Sequence, residues 1–302
     1  MSNLKRRAPI DEQEDEKPLK RSHKQTEEEE EQDSDDGLQE VVDVDFDFYN
    51  PDEIDFHALK KLLTQLFSSD AELINLSDLA DILIEENHVG TTVKVDDQKS
   101  DPYAILSVIN LQQQKDKEGI QQLCSYLLNK CPKKNEPLHQ AVNEILNHKQ
   151  VGWVVSERFI NMPVEIMPPM YAMLQEETKK AVQQNEPYSF EWYMFISKTY
   201  REVASSIDDE EEGEGEKAGS SKKPVNNETF YFQSEDEIIA NYAEYQFDYT
   251  FTNSEKEQAA DSRRAFSDFG IQPARRLLFV HQSKFDDLVA EISKTCSSTV
   301  PQ

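Results

Sequence analysis

Three aspartates, Asp43, Asp45 and Asp47, alternate with Val42, Val44, Phe46 and Phe48 in the stretch VVDVDFDFYN at 41–50. Carboxylates so spaced could hold a cation, form the wet face of a strand, or receive a positively charged partner. The metal reading fits poorly. A calcium loop also uses alternate acids, but it needs a glycine turn and a closing glutamate, and neither follows here. On a strand, same-face groups lie roughly 7 Å apart, too far for three of them to grip one ion. Two readings stay open: a solvated strand face whose charges oppose edge-to-edge aggregation, or a docking face for a basic partner.

Other chemistries need residue patterns of their own. The chain has eight glycines, and Gly213, Gly215 and Gly219 fall in one acidic stretch. Neither GxxxxGK[ST] nor a GxGxxG after a strand occurs, so the backbone cradles that close on phosphate are missing. The six histidines (23, 57, 88, 139, 148 and 281) form no HExxH, and no Cys/His spacing matches a zinc site. His57 and His281 read as ordinary surface or core residues. There is no GxSxG elbow. No catalytic, cofactor-binding or metal-binding residue is therefore assigned, and no cofactor is expected. Met162, Met167, Met170 and Met173 crowd one stretch. Soft Met side chains can line an adaptable surface, but here they read as core, as do Tyr245, Phe247, Tyr249 and Phe251. Ser34 and Ser206 stand beside acids and are candidates for an acidophilic kinase.

Charge narrows the partner. The 302 residues carry 32 basic and 60 acidic side chains, a formal net charge of −28. A nucleic-acid backbone needs clustered Lys and Arg, so direct nucleic-acid binding is not expected. Long-range attraction favours basic proteins or tails. No apolar run approaches the roughly 20 residues that span a bilayer, and the N-terminal residues lack the apolar core of a secretory signal. Three irregularly placed cysteines suggest no disulfide framework and a reducing compartment.

The elements that would position these residues follow from periodicity. Residues 1–40 are nearly devoid of apolar side chains and read as a disordered acidic tail. Within it, Lys5, Arg6 and Arg7, then Lys17, Lys20 and Arg21, form two basic clusters of the kind an import carrier reads. One globular domain is expected over 41–296, interrupted by an acidic disordered insertion at 208–227. VVDVDFDF reads as a strand; PDEIDFHALKKLLTQLF as a helix with Asp55 at its N-cap; LSDLADILIEEN as a second helix. VGTTVKV and YAILSVINL read as strands, IQQLCSYLLNK and PLHQAVNEILNH as helices, and VGWVVS as a strand. A helix is expected within PPMYAMLQEETKKAVQQ, and a central strand covered on both faces at SFEWYMFISKTY. EYQFDYTFTN and RRLLFVH close the set of strands, with a last helix at FDDLVAEISK. Interleaved strands and helices predict an α/β (α+β) fold, a single mixed sheet flanked by helices.

The segments FDFYNPDEIDFHALKKLLTQLF, VGTTVKVDD, SDPYAILSVINL, VGWVVSERFINMPVEIMPPMYAMLQEE and FQSEDEIIANYAEYQFDYTF, with RRLLFVHQSKFDDLV, resemble the BCCIP family, its fungal branch above all. The likeness runs in order from about residue 41 to 293. It implies a nuclear, non-enzymatic escort or chaperone for a basic large-subunit ribosomal protein, linked to ribosome biogenesis and to nuclear export carriers, beside the import carriers that the basic clusters suggest. It also implies, as alternatives, a scaffold in nuclear export of a lipid kinase that affects actin and vesicle transport, or an acyltransferase. The last follows from the family's likeness to the GNAT acetyltransferase fold, whose acetyl-CoA loop [RQ]xxGx[GA] is missing from this sequence; fold analogy alone does not carry activity. For the client's contact, Asp43, Asp45 and Asp47 are the first candidates, then Glu157 and Arg158 in the SERFINMP segment.

Overall fold

The computed structural model describes residues 45–202, 228–253 and 271–297. Asp43, Ser34, Ser206, both basic clusters, the 1–40 tail and the 208–227 insertion lie outside them.

Eight strands form one sheet: β1 (Asp47–Tyr49), β2 (Gly90–Lys94), β3 (Ala104–Asn110), β4 (Val151–Arg158), β5 (Trp192–Glu202), β6 (Thr229–Tyr231), β7 (Tyr245–Tyr249) and β8 (Ile271–His281). Their order is β1-β2-β3-β4-β5-β8-β7, with β6 on the β4 side of β5. Every pairing is antiparallel except β4 with β5. That parallel pair is short, from Val151 beside Trp192 to Trp153 beside Met194, and further along β5 pairs with β6 from Thr199 to Arg201. The mixed sheet flanked by helices agrees with the sequence reading.

Both faces are covered, because the central strands place apolar side chains on each side. Met194 and Ile196 of β5 join Trp153, Val155, Leu277 and Phe279 in one core. It is packed by α1 (Phe56–Phe67), α2 (Leu76–Glu85), α3 (Glu118–Lys130) and α4 (Glu136–His148). Tyr193 and Phe195 belong to the opposite core, under α5 (Met167–Gln183), α6 (Ser234–Tyr242) and α7 (Phe285–Cys296). The helices sit where 3.6-residue periodicity lays an apolar stripe against the sheet. In α1, for example, Leu59, Leu62, Leu63 and Leu66 are all buried. Met162, Met167 and Met170 are core, as expected, and Met173 packs at its margin. Phe247, Tyr249 and Phe251 are buried, with Tyr245 partly covered.

Gly152 in β4 leaves room for the neighbouring ring. A Cβ there would stand 2.7 Å from Phe190 and 2.8 Å from Val108, both deep in the second core. Gly152→Ala should therefore lower stability by about 1–3 kcal/mol through overpacking, read as an earlier denaturant midpoint with an unchanged m-value.

Candidate partner-binding site

One end of the sheet brings charge and apolar surface together. Asp47 of β1 faces Lys94 of β2. The β2–β3 and β3–β4 registers, continued one residue, set Tyr103 beside Lys94 and Phe159 beside Tyr103. The Phe159 N–H donates to the Tyr103 carbonyl at 3.0 Å, and the two rings meet edge to face at 5.9 Å. Three inter-strand steps thus carry the row from Asp47 to Phe159, about 14 Å at the usual strand spacing.

Around this row the surface is acidic. Asp45 is exposed just before β1, and Asp96, Asp97 and Asp101 are exposed on the turn joining β2 to β3. Asp97 Oδ1 orders that turn by accepting the Lys99 and Ser100 N–H groups at 2.8 and 3.0 Å. No ion pair ties Asp45, Asp96 or Asp101 to a cation among the described residues. Asp47 is half-buried and accepts the Tyr49 hydroxyl at 3.3 Å. Next to Phe159, Ile160 is 83% exposed. Phe46, Tyr103 and Phe159 are each partly covered, so a half-open aromatic rim runs between the acids and Ile160. Lys61 of α1 lies over the Phe159 ring at 5.5 Å.

Under the acidic rim lies a cation that does not reach the surface. The Lys94 side chain is wholly buried, its Nζ 2.6 Å from Asp55 Oδ1 and 2.6 Å from the Gln98 carbonyl. Burial raises the Asp55 carboxyl, and the Lys94 hydrogen bond and charge pull against that rise. Asp55 was expected to cap α1. It occupies that position but makes no side-chain cap bond to α1. Asp52 caps the short 3-10 turn ahead of the helix, and Asp55 answers its backbone N–H at 3.1 Å while holding Lys94.

Glu157 and Arg158, singled out with the aspartates, are 2% and 7% exposed and point to opposite faces. Glu157 takes Lys198 Nζ at 2.7 Å and Gln65 Nε2 at 3.0 Å. The β4–β5 register, continued past its last hydrogen bond, puts Glu157 level with Lys198, so this ion pair spans the place where the two strands part. Arg158 grips both carboxylate oxygens of Glu235 on α6. Both residues are ion-paired inside the fold, where successive side chains of a buried strand must point, rather than displayed to a partner. The neighbouring Ile160 is the displayed member of that segment. Sequence reading missed the acids at 96, 97 and 101. A turn has no periodicity to betray it; the only available signal was the local acidity of DDQKSD at 96–101. Among the described residues, no group of three or more His, Cys, Asp or Glu is placed to hold a metal ion, and no helix is long and apolar enough to cross a membrane.

A mixed sheet with a helical layer on each face and an acidic, apolar-rimmed end describes a domain that presents a surface. Comparison with known proteins gives its lineage. Residues 41–239 match the family described as BCCIP. Protein bcp1 of Schizosaccharomyces pombe is 42% identical over 262 residues, covering 86% of this chain and 92% of the relative. Protein bcp1 of Emericella nidulans is 40% identical over 270 residues, covering 88% and 91% respectively. The crystal structure of BCP1 from Saccharomyces cerevisiae superposes with a TM-score of 0.57 at 26% identity, covering 87% of this chain and 94% of that one. The chain belongs to the BCCIP family. Neither the family's description nor these relatives' names denotes a catalysed reaction.

Proposed function

We propose that this protein is a non-enzymatic escort for a basic ribosomal protein of the large subunit, shielding the client's cationic RNA-binding surface until assembly. The supporting observation is the end of the sheet: exposed Asp45, Asp96, Asp97 and Asp101 around a half-open aromatic rim, with Ile160 standing in solvent. A net charge of −28 attracts a cationic client from a distance, and the apolar rim supplies the short-range contact that charge alone does not. The protein acts in the nucleus and shuttles: import carriers read the basic residues Lys5, Arg6, Arg7, Lys17, Lys20 and Arg21, and export returns it. Asp43 adds a negative charge two residues before Asp45 in the sequence, and phosphate on Ser34 or Ser206 would add more to the chain.

The test uses the full chain and a panel of purified large-subunit ribosomal proteins. Binding should be found and should weaken as salt rises, because exposed charges beyond a Debye length are screened. Replacing Asp45, Asp96, Asp97 and Asp101 together by Asn should slow association by about 10-fold or more at low salt, leaving dissociation nearly unchanged. Equal affinity at low and high salt removes the electrostatic half of the reading. Failure to bind any basic ribosomal protein removes all of it.

A further inference from the structure

A second charged cluster lies inside the fold, away from the acidic rim. The first turn of helix α6 carries Glu235 and Asp236, which are 0% and 4% exposed. Consecutive acids in a first turn ordinarily face water, where the helix dipole favours them. Here both are inside, with α6 packed on α7, β8 and β6. Two cations meet them. Arg158 of β4 is committed to Glu235 through both carboxylate oxygens, and Lys198 of β5 is committed to Glu157 at 2.7 Å. Asp236 Oδ2 is buried and has no hydrogen-bond partner.

The other groups around the pair supply no third positive charge. Tyr171 of α5 feels both acids, Tyr231 of β6 feels Asp236, and Cys296 of α7 feels Glu235, Arg158 and the exposed Glu165. Ser197 of β5 offers only a hydroxyl. Arg276, which bonds Tyr231, is bound to Asp248 at 2.5 Å. Three carboxyls, Glu157, Glu235 and Asp236, therefore share two cations. An unpaired carboxylate in such a place costs several kcal/mol, and the group takes a proton instead.

We propose that Asp236 carries a proton in the folded protein, and that this proton latches α6 to the sheet. The electrostatics agree: burial pushes the Asp236 carboxyl well above the usual range and the Glu235 carboxylate pushes it further, against the pulls of Lys198 and Ser197. A carboxyl that binds its proton more tightly when folded stabilises the docked helix fully below its unfolded pKa of about 3.9. From there upward each pH unit favours the released helix by about tenfold, until the docked carboxyl itself ionises.

Hydrogen exchange along α6, corrected for intrinsic rates, reads this directly on the full chain. The opening constant of 234–242 should rise by about tenfold per pH unit above pH 4 in the native protein. Asp236→Asn, the neutral isostere, should fold, hold α6 closed and flatten that slope. The infrared carbonyl stretch of a protonated carboxyl should be present in the native protein at neutral pH and absent from Asp236→Asn. The proposal fails if the stretch is the same in both proteins, or if the pH slope survives the substitution. A destabilised Asp236→Asn would also overturn it, because Asn replaces a neutral acid without loss but an ionised partner only with loss. Asp236→Leu gives a second reading, since it too should remove the pH slope whatever its stability.

Discussion

Lys94→Ala should unfold this protein at about 3–5 kcal/mol less cost than the native chain, the loss expected when one partner of a buried ion pair is removed. The number rests on what stays behind. Asp55 is fully buried, and its remaining support is the Asp52 N–H at 3.1 Å. Burial already raises its carboxyl while Lys94 pulls it down; without Lys94 only the upward push is left, and Asp55 takes a proton to fold. A raised folded pKa confers stability that is complete below the unfolded value and is lost as pH rises through the folded one. The deficit of Lys94→Ala should therefore be smallest near pH 4 and grow toward neutrality. Denaturant midpoints across that range measure it. A second variant separates pair from packing: Lys94→Met with Asp55→Asn removes both charges together and should recover most of the loss. If the double variant is no better than Lys94→Ala, the lysine serves through its shape, and the ion-pair account is wrong.

The same pair shows where the sequence stopped being legible. VGTTVKV reads as a strand from its period of two, and β2 runs from Gly90 to Lys94. The pattern marks Lys94 as a polar end, because a buried lysine is expensive unless paired and its partner lies 39 residues earlier. Nothing local announces that. Helices α1 to α5 and α7 were visible because each lays its apolar residues on one face, and the central place of β5 was visible because its first five residues, Trp192 to Ile196, are apolar without a break. Helix α6 was not. Its first turn reads SEDE, and Glu235 and Asp236 are buried in it, so the polar pattern that normally marks the wet face marks the inner one. Strand β6 has three residues, too short to show a period. The stretch VVDVDFDF alternates over the seven residues 42–48, whereas β1 starts only at Asp47 and buries both Phe48 and Tyr49. An edge strand at the rim, covered on one side by its own neighbours and on the other by a buried lysine, does not keep the simple inside–outside rule.

The site was legible in part. Acidity near residue 45 pointed to the end of the sheet that forms the candidate site, since Asp45 and the exposed acids of the 96–101 turn lie there with Ile160. What could not be read was the row itself: Asp47, Lys94, Tyr103 and Phe159 are far apart in sequence and become neighbours only through the β1-β2-β3-β4 order. Glu157 and Arg158 drew attention as charges in a distinctive motif, and the structure uses them to fix β4 to β5 and α6.

A buried aspartate elsewhere predicts the opposite response to the substitution that Asp236 should tolerate. Asp70 is fully buried and surrounded by donors. Its Oδ2 accepts the Tyr126 hydroxyl at 2.9 Å and the Thr252 N–H at 2.8 Å, and Lys130 Nζ stands 3.0 Å away; its Oδ1 accepts the Asn253 N–H at 2.9 Å. Burial works to raise this carboxyl, but the Thr252 and Asn253 N–H groups with Lys130 and Tyr126 outweigh it and hold it below the usual range. Asp70→Asn cannot satisfy this cage in either orientation, because its NH2 must face a donor on one side. The expected loss is about 3 kcal/mol or more: a charge-assisted network is broken and buried donors are left unpaired. A lowered folded pKa gives stability that is present above the unfolded value near 3.9 and is lost as pH falls through the folded one. The native protein should thus weaken in acid through Asp70, and Asp70→Asn should lose that part of its acid sensitivity while being weaker at neutral pH. Measured side by side by denaturant unfolding at pH 7, Asp70→Asn should shift the midpoint down and Asp236→Asn should not. Equal shifts for the two would mean that both aspartates are ionised, or both protonated, and the distinction drawn from their surroundings would be lost.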